Sequence, residues 1–326
     1  MQADTAATRV AITGASGFIG SHLLRSVLRT SSSSDCSGID IREAPGALGP
    51  IVLGDIRDRN AIRKAITPKT QTVYHLAALA EVVMPFEVLP ELFSTNVGGT
   101  IEVLNAVDNG RVIFASSSAV YGTTSGSIGT DWDNVRPEGV YGASKAAAEM
   151  AGKVWAGERG GIFMAFRFGN VIGPGCRGLI PYLVQHAVKY PQAQSTAQLR
   201  GGGRLVRDYV PVRHVVEVME AAAKVEFEAG VFAVYNIGTA RSLTNREVAE
   251  QVREVLAKSG FPLEINYENP TAPGEALSVT LDVSRTVETF GIAAPSETEV
   301  VAAIHSATSY WLEKALEAAK RQSVGS

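Results

Sequence analysis

Tyr141 and Lys145 stand four residues apart in the segment Val140-Tyr-Gly-Ala-Ser-Lys145. On a helix that spacing puts a phenol and an ammonium on one face. A cation beside a phenol stabilises the phenolate and draws its pKa down from about 10, which makes tyrosine a usable acid/base near neutral pH. Such a pair works best with a hydroxyl that can hold the same substrate oxygen, and Ser116, Ser117 and Ser118 close the apolar run that includes Phe114 and Ala115. Proton transfer at a substrate alcohol is the chemistry these residue types can perform.

A second cluster holds no reactive group but suits a phosphate. Arg9-Val-Ala-Ile-Thr13 has the look of a strand and runs straight into Gly14-Ala-Ser-Gly17-Phe18-Ile19-Gly20, after which an amphipathic helical pattern begins. In that arrangement Gly14 takes the tight turn, Gly17 lets backbone N–H groups approach a pyrophosphate, and Gly20 lets helix pack on strand. The phosphates then meet the positive end of a helix. Asp40 closes the next strand, a little over 20 residues on, where a carboxylate accepts from the adenosine ribose hydroxyls and repels a 2′-phosphate. NAD is therefore the expected cofactor. Arg42 would favour NADP if it embraced that phosphate, and has no bearing if it is a solvated loop residue.

Elements must hold these groups at one place. Short apolar runs alternate with helical patterns in the first half, which is the signature of βαβ units closing a parallel sheet. The pattern predicts strands over 8–13, 37–41, 50–54, 71–76, 111–116 and 161–168, and helices over 17–30, 87–108 and 140–158. Ser31 to Asp35 reads as a polar loop. After Gly169 the rhythm changes at Gly173-Pro174-Gly175 and Gly201-Gly202-Gly203, and helices are expected near 178–189, 213–226, 244–258 and 296–320, with Pro270 to Gly274 as punctuation. The expected class is α/β: a Rossmann-type doubly wound parallel sheet over 1–169 and a smaller C-terminal α/β substrate lobe over 170–326. The serines and the Tyr/Lys pair then lie at the carboxyl ends of the strands, where such sheets bind ligands.

Composition excludes several partners. With 30 Lys+Arg against 33 Asp+Glu, the net charge of −3 offers no grip on nucleic acid. No window approaches the run of about 18 apolar residues that spans a membrane, and the N-terminal Met1 to Thr8 carries an acid where a leader peptide needs base. The two cysteines, Cys36 and Cys176, make no disulfide framework, and the five histidines show no metal spacing, so a reducing cytoplasm and no metal are expected. Cys176 reads as a loop thiol, and Asp131 and Asp133 as solvated loop acids.

Glycine turn, ribose acid, serine run and Tyr-x-x-x-Lys fall in one order, and over residues 8–315 the chain resembles the extended short-chain dehydrogenase/reductases of the NAD-dependent sugar epimerase/dehydratase family. The resemblance implies more. Asp55 and Ile56 match the adenine-contacting turn, Leu76, Ala77 and Ala78 the strand end passing the cofactor ribose, and Asn96 the central helix motif. Ser116 and Phe168 fall at cofactor positions, while Ser117, Ser118, Asn170 and Arg207 fall at substrate positions, with Arg207 clasping a nucleotide diphosphate. It further implies a nucleotide-sugar substrate, a homodimer built on the helices at 87–108 and 140–158, and a chain that crosses back to the first domain between 205 and 240. Glu81 lies where relatives touch the sugar. One departure stands out: an expected phosphate-clamping arginine is replaced in Thr271-Ala272-Pro273-Gly274-Glu275, so that either Arg177, Arg241 or Arg246 substitutes or the substrate is not an ordinary nucleoside-diphosphate sugar.

The same resemblance ranks reactions. Ser117 occupies the catalytic hydroxyl position and is followed by Ser118 and Ala119, where dehydratases of the family carry an Asp-Glu pair and decarboxylases a Glu. Without a carboxylate for elimination, the expected reaction is epimerisation by transient oxidation at C4, with a dehydrogenase or 4-ketoreductase as the alternative. A mere dinucleotide-sensing regulator would be expected to have lost the Tyr/Lys pair.

Overall fold

β1 (Arg9–Thr13) buries Val10 and Ile12 in one core and Ala11 in another. A strand apolar on both faces belongs in the middle of a sheet covered on both sides. The computed structural model describes residues 9–30, 35–43, 49–81, 84–270 and 276–324; the leader expectation at Met1 to Thr8, most of the polar loop after Thr30, and Thr271 to Glu275 lie outside them.

The strands that follow are β2 (Cys36–Asp40), β3 (Ile51–Leu53), β4 (Thr70–His75), β5 (Arg111–Ser117), the short β6 (Ser127–Ile128), β7 (Ile162–Phe168), β8 (Asn170–Ile172), β9 (Thr196–Arg200), β10 (Val206–Pro211), β11 (Phe232–Ile237), β12 (Ser242–Thr244), β13 (Glu264–Asn269) and β14 (Thr280–Leu281). The main sheet is seven-stranded, all parallel, in the order β11-β7-β5-β4-β1-β2-β3. This is the Rossmann-type arrangement. Its order reverses between β1 and β4, where Thr13 stands opposite His75, and a crevice opens at such a switch point.

The helices are α1 (Phe18–Thr30), α2 (Arg59–Ala65), α3 (Leu89–Phe93), α4 (Gly99–Asn105), α5 (Val140–Arg159), α6 (Leu179–Lys189), α7 (Val212–Ala222), α8 (Asn245–Lys258), α9 (Ser284–Phe290) and α10 (Glu297–Val324). Leu23, Leu24 and Val27 of α1 and Val215, Val218 and Met219 of α7 cover one face of the sheet. Ile62 of α2, Val103 of α4 and Ala148 and Trp155 of α5 cover the other. α7 and β11 thus return the chain to the first sheet. A separate core joins Leu183 of α6, Val252 of α8 and Ile304 of α10.

One predicted element comes out differently. The helix expected over 87–108 is broken into α3, a π turn at Ser94–Gly98 and α4. A π turn takes up one surplus residue and commonly marks a functional constraint. The helix expected near 213–226 stands apart from the other helices after Gly169 and packs on α1, within the stretch where the chain was expected to cross back to the first domain, because its valines and Met219 belong to the sheet's core.

Candidate active site

β5 ends at Ser117, whose hydroxyl accepts from the backbone N–H of Ala119 at 3.1 Å and so caps the turn that follows. The first turn of α5 lies directly against that turn. A Cβ at Gly142 would sit 2.2 Å from the Ala119 carbonyl oxygen, so only glycine after Tyr141 allows the approach. The outcome brings the Tyr141 phenol close enough to the Ser117 side chain for the serine to favour the phenolate. One turn on, Lys145 donates to the Ala115 carbonyl at 2.7 Å, with its Nζ 5.9 Å from the centre of the Tyr141 ring. Serine, tyrosine and lysine, far apart in sequence, meet at one strand end.

The electrostatics depart from the sequence expectation. Burial pushes the Tyr141 phenol up to about 12, opposed by the Ser117 side chain. Burial likewise draws Lys145 down to about 7, opposed by the charge of Glu149. In the protein alone desolvation outweighs any help the lysine gives the phenol, since Lys145 directs its proton to a backbone carbonyl and is only 2% exposed.

Behind this trio lies a buried ion pair that no motif announced. Arg167 on β7 donates to both carboxylate oxygens of Glu149 on α5, at 3.0 and 2.7 Å, and both side chains are wholly buried. Ser116 adds its hydroxyl to the same carboxylate, at 2.5 Å. Arg167 also donates to the Tyr121 hydroxyl at 3.0 Å and the Thr130 carbonyl at 3.2 Å. The Tyr121 hydroxyl donates in turn to Asn236 at 2.6 Å. An acid at four residues beyond Lys145 was the available signal, visible only once α5 was known to be buried on that face.

A polar chain crosses from β1 to α5. The Thr13 hydroxyl accepts from the N–H groups of Leu76 and Ala77 and directs its proton to His75 Nδ1 at 2.7 Å. His75 Nε2 donates to Thr100 at 2.9 Å, and Thr100 donates to the Asn96 carbonyl at 2.6 Å. These partners fix the neutral Nε2–H tautomer, and burial draws His75 down to about 3. Within the π turn, Asn96 accepts from the N–H of Leu79 at 2.8 Å and donates to the Leu79 carbonyl and to Ser144 Oγ. Ser144 donates to the Tyr141 carbonyl at 2.8 Å. The side chains of Asn96 and Ser116 are therefore engaged within the protein, and what they offer a cofactor is the placement of the backbone around them.

The residues expected to hold the cofactor lie around the switch point. Gly14 has φ +71°, and a Cβ there would lie 2.8 Å from the Ala77 nitrogen; a Cβ at Gly20 would lie 2.0 Å from the Gly14 carbonyl oxygen. Gly17 opens the way to the start of α1 at Phe18 and Ile19. Asp40 at the end of β2 accepts from Ser16 N–H at 3.0 Å and Arg42 N–H at 3.1 Å. This cradle fits a dinucleotide: a glycine turn leading into a helix N-terminus, a carboxylate at the end of the next strand, and no room for side chains at Gly14 and Gly20. The Arg42 side chain is exposed. Asp55 is gripped by Arg57 at 2.6 Å, which holds its carboxyl below the usual range, and Ile56 is buried against Gly99. Ala78 is half-buried beside Leu76 and Ala77.

On the substrate side, Ser118 and Phe168 are buried, Asn170 is exposed, and Arg207 is half-buried, donating to the Val206 carbonyl at 2.9 Å. Asn170 and Arg207 share the small β8-β10-β12 sheet. Of the candidate replacement arginines, Arg246 lies over the Tyr267 ring at 4.0 Å, Arg241 faces Glu297 at 3.9 Å, and Arg177 is exposed. Glu81, Asp131 and Asp133 are exposed, and Cys176 is a buried thiol pushed up by burial. A cavity of about 380 Å³ lies elsewhere, between α7 and α10 around His214, Glu217 and Glu299, and is lined by none of the trio.

The pattern of the NAD dependent epimerase/dehydratase family matches residues 10–238, which contain the whole of this constellation up to Asn236. The chain belongs to that family. It is 27% identical over 303 residues to a UDP-glucose 4-epimerase of Lactobacillus helveticus, covering 85% of this chain and 89% of the relative. A dTDP-4-dehydro-6-deoxy-D-allose reductase of a Streptomyces species is 29% identical over 320 residues, covering 88% and 92%. Among solved structures, MoeE5 in complex with UDP-glucuronic acid and NAD superposes with a TM-score of 0.80 at 28% identity, covering 94% of this chain and 99% of the other. The protein is an NAD-dependent enzyme of the epimerase/dehydratase type. Among the described residues no helix is long and apolar enough to cross a membrane, and no His, Cys, Asp and Glu cluster is arranged to hold a metal ion.

Proposed function

We propose that this enzyme epimerises a nucleotide sugar at C4. The observation that carries the proposal is the packing of Tyr141 and Lys145 on α5 against the end of β5 at Ser117, followed by Ser118 and Ala119, which bear no carboxylate for elimination. Bound NAD supplies the hydride acceptor and, on the return step, the donor. Tyr141 takes the proton of the sugar 4-hydroxyl, Ser117 holds the same oxygen, and Lys145 sits beneath the phenol. The 4-keto sugar turns over in the site and accepts the proton back from Tyr141 on completion.

The division of labour follows the fold. Residues 1–169, joined by α7 and β11 from the 205–240 stretch, hold NAD through Gly14, Gly17, Gly20 and Asp40, with Asp55, Ile56 and Leu76 to Ala78 at the adenine and ribose. Residues 170–326 hold the substrate, with Asn170 and Arg207 at its diphosphate end. Exposed Ile101 on α4 and Met150 and Val154 on α5 form an apolar face that suits a homodimer. Two buried free thiols suit a reducing cytoplasm.

A 4-ketoreductase is the second reading, favoured by the reductase relative at 29% identity. Purified protein incubated with UDP- and dTDP-sugars separates them. An epimerase inverts its substrate with no net NADH over many turnovers, whereas a reductase consumes one cofactor per product. A product bearing a 4-keto-6-deoxy group would overturn both.

A further inference from the structure

The cavity of about 380 Å³ between α7 and α10 is lined by none of the residues proposed to hold NAD or the sugar. Much of its wall is apolar, with Ile172 at the end of β8, Val212 at the start of α7 and Ala303 on α10. Pockets for small molecules have this size and this make-up, an apolar body with a few convergent polar groups.

The polar groups here divide sharply. Glu299 accepts from the N–H and the hydroxyl of Ser296, both at 2.9 Å, at the head of α10, and it faces Arg213 at 3.6 Å. Glu217 pairs with the same Arg213 at 3.3 Å. Both acids at the cavity are therefore engaged, and Arg213 bridges them. The donors are not. α7 runs for 11 residues and starts after Pro211 with no side-chain cap, so no side chain takes the N–H groups of its first turn. His214, the third residue of that helix, lines the cavity and is only 7% exposed, and its ring makes no hydrogen bond among the described residues. A buried polar group in a native fold calls for a partner, and the head of a helix favours a negative one.

We propose that this cavity is a second ligand site, which takes a small monocarboxylate with an apolar body: the carboxylate caps α7 beside His214, and the body lies on Ile172, Val212 and Ala303. Burial holds the His214 imidazole neutral, so it enters as a single N–H donor. Arg213 screens the incoming charge from Glu217 and Glu299. A cation of the same size would meet the positive end of α7 and find both carboxylates already paired.

The proposal does not rest on the epimerase reading, since neither sugar nor NAD enters its test. Full-length protein labelled with carbon-13 at histidine Cε1 is titrated by NMR with 3-phenylpropionate, phenethylamine and 3-phenylpropanol, which share one apolar body and differ in charge. The His214 signal is assigned by its loss in His214→Phe. 3-Phenylpropionate should shift that signal saturably, and the amine and the alcohol should bind about tenfold more weakly or not at all. Calorimetry on the variants completes the test, with circular dichroism to show that each is folded. His214→Phe should weaken 3-phenylpropionate by about tenfold or more, whereas a histidine that only packs would leave the affinity unchanged. Ala303→Phe, which fills the cavity from α10, should abolish binding, and it stands alone as the test where His214→Phe fails to fold. No saturable shift up to about 10 mM, equal binding of the amine or the alcohol, or an unchanged affinity in either folded variant overturns the proposal.

Discussion

The carboxylate of Asp40 accepts the backbone N–H of Ser16 at 3.0 Å, across 24 residues of sequence. One group thus ties the end of β2 to the glycine turn and keeps lone pairs for the ribose proposed to bind there. Asp40→Ala should weaken NADH binding roughly 10–100-fold, the worth of hydrogen bonds to a charged group, and reduce the preference over NADPH. Fluorescence titration with both cofactors checks it, and a wild type that prefers NADPH would transfer the role to Arg42.

Tyr141→Phe removes the group placed to move the substrate proton while keeping the ring. Turnover should fall by about 10²–10⁴-fold with NADH affinity unchanged. Ser117→Ala should cost less, since it removes one hydrogen bond from the substrate oxygen. Steady-state rates beside cofactor titrations would show undiminished turnover in Tyr141→Phe if the assignment is wrong.

The phenol of the cofactor-free protein is held up at about 12 by burial. A positive charge brought close favours phenolate, so NAD⁺ should lower that value and NADH should not. Difference absorbance of tyrosinate against pH, wild type minus Tyr141→Phe, is the measurement. An equal midpoint with NAD⁺, NADH and neither would remove Tyr141 as base near neutrality.

His75 should make the fold acid-sensitive. Its folded pKa, about 3, lies below the unfolded value near 6.5, so the unfolded chain binds more protons between those limits. Stability is then lost as pH falls through that window, by about 1.4 kcal/mol per pH unit for each proton. Burial of His214, down to about 4, acts in the same direction. Asp208, raised to about 6 by burial, acts oppositely between about 4 and 6. His75→Gln should flatten the acid limb of stability against pH by about one proton, read from urea unfolding at several pH values. An unchanged slope would show that His75 is solvated or charged in the fold.

Val154 is 56% exposed on α5, in line with Met150 four residues earlier. If that face closes a dimer, Val154→Glu should yield a monomer by light scattering at micromolar concentration with the fold retained by circular dichroism. A wild type that is already monomeric would overturn the homodimer.

The sheet was legible because its central strands, such as β5 at Val112 to Ala115 and β7 at Phe163 to Phe166, are apolar on both faces and bounded by turn residues. The glycine turn and the Tyr141/Lys145 pair were legible because local spacing sets their geometry. Arg167 stands directly before Phe168, but its partner is 18 residues away on another element, and only packing brings the two together. The pKa of Tyr141 was misjudged for a related reason: a nearby cation is visible in sequence, whereas the degree of burial that outweighs it is not. The irregularity near Asn96 was signalled only by Gly98-Gly99, a pair that weakens a helix but does not by itself say that the chain takes a π turn there.

That π turn shifts the phase of the helix by about 100° between its two ends, the rotation of one residue. Leu92 before it and Val103 after it are both fully buried. Each half is therefore indexed to its own surroundings, and the surplus residue is the spacer that lets both fit. No residue between Leu92 and Val103 can be inserted or lost without swinging one of those two side chains out of the interior. A change of chain length by one residue is therefore costlier in this stretch than in the exposed turn at Asp108 and Asn109 that follows it.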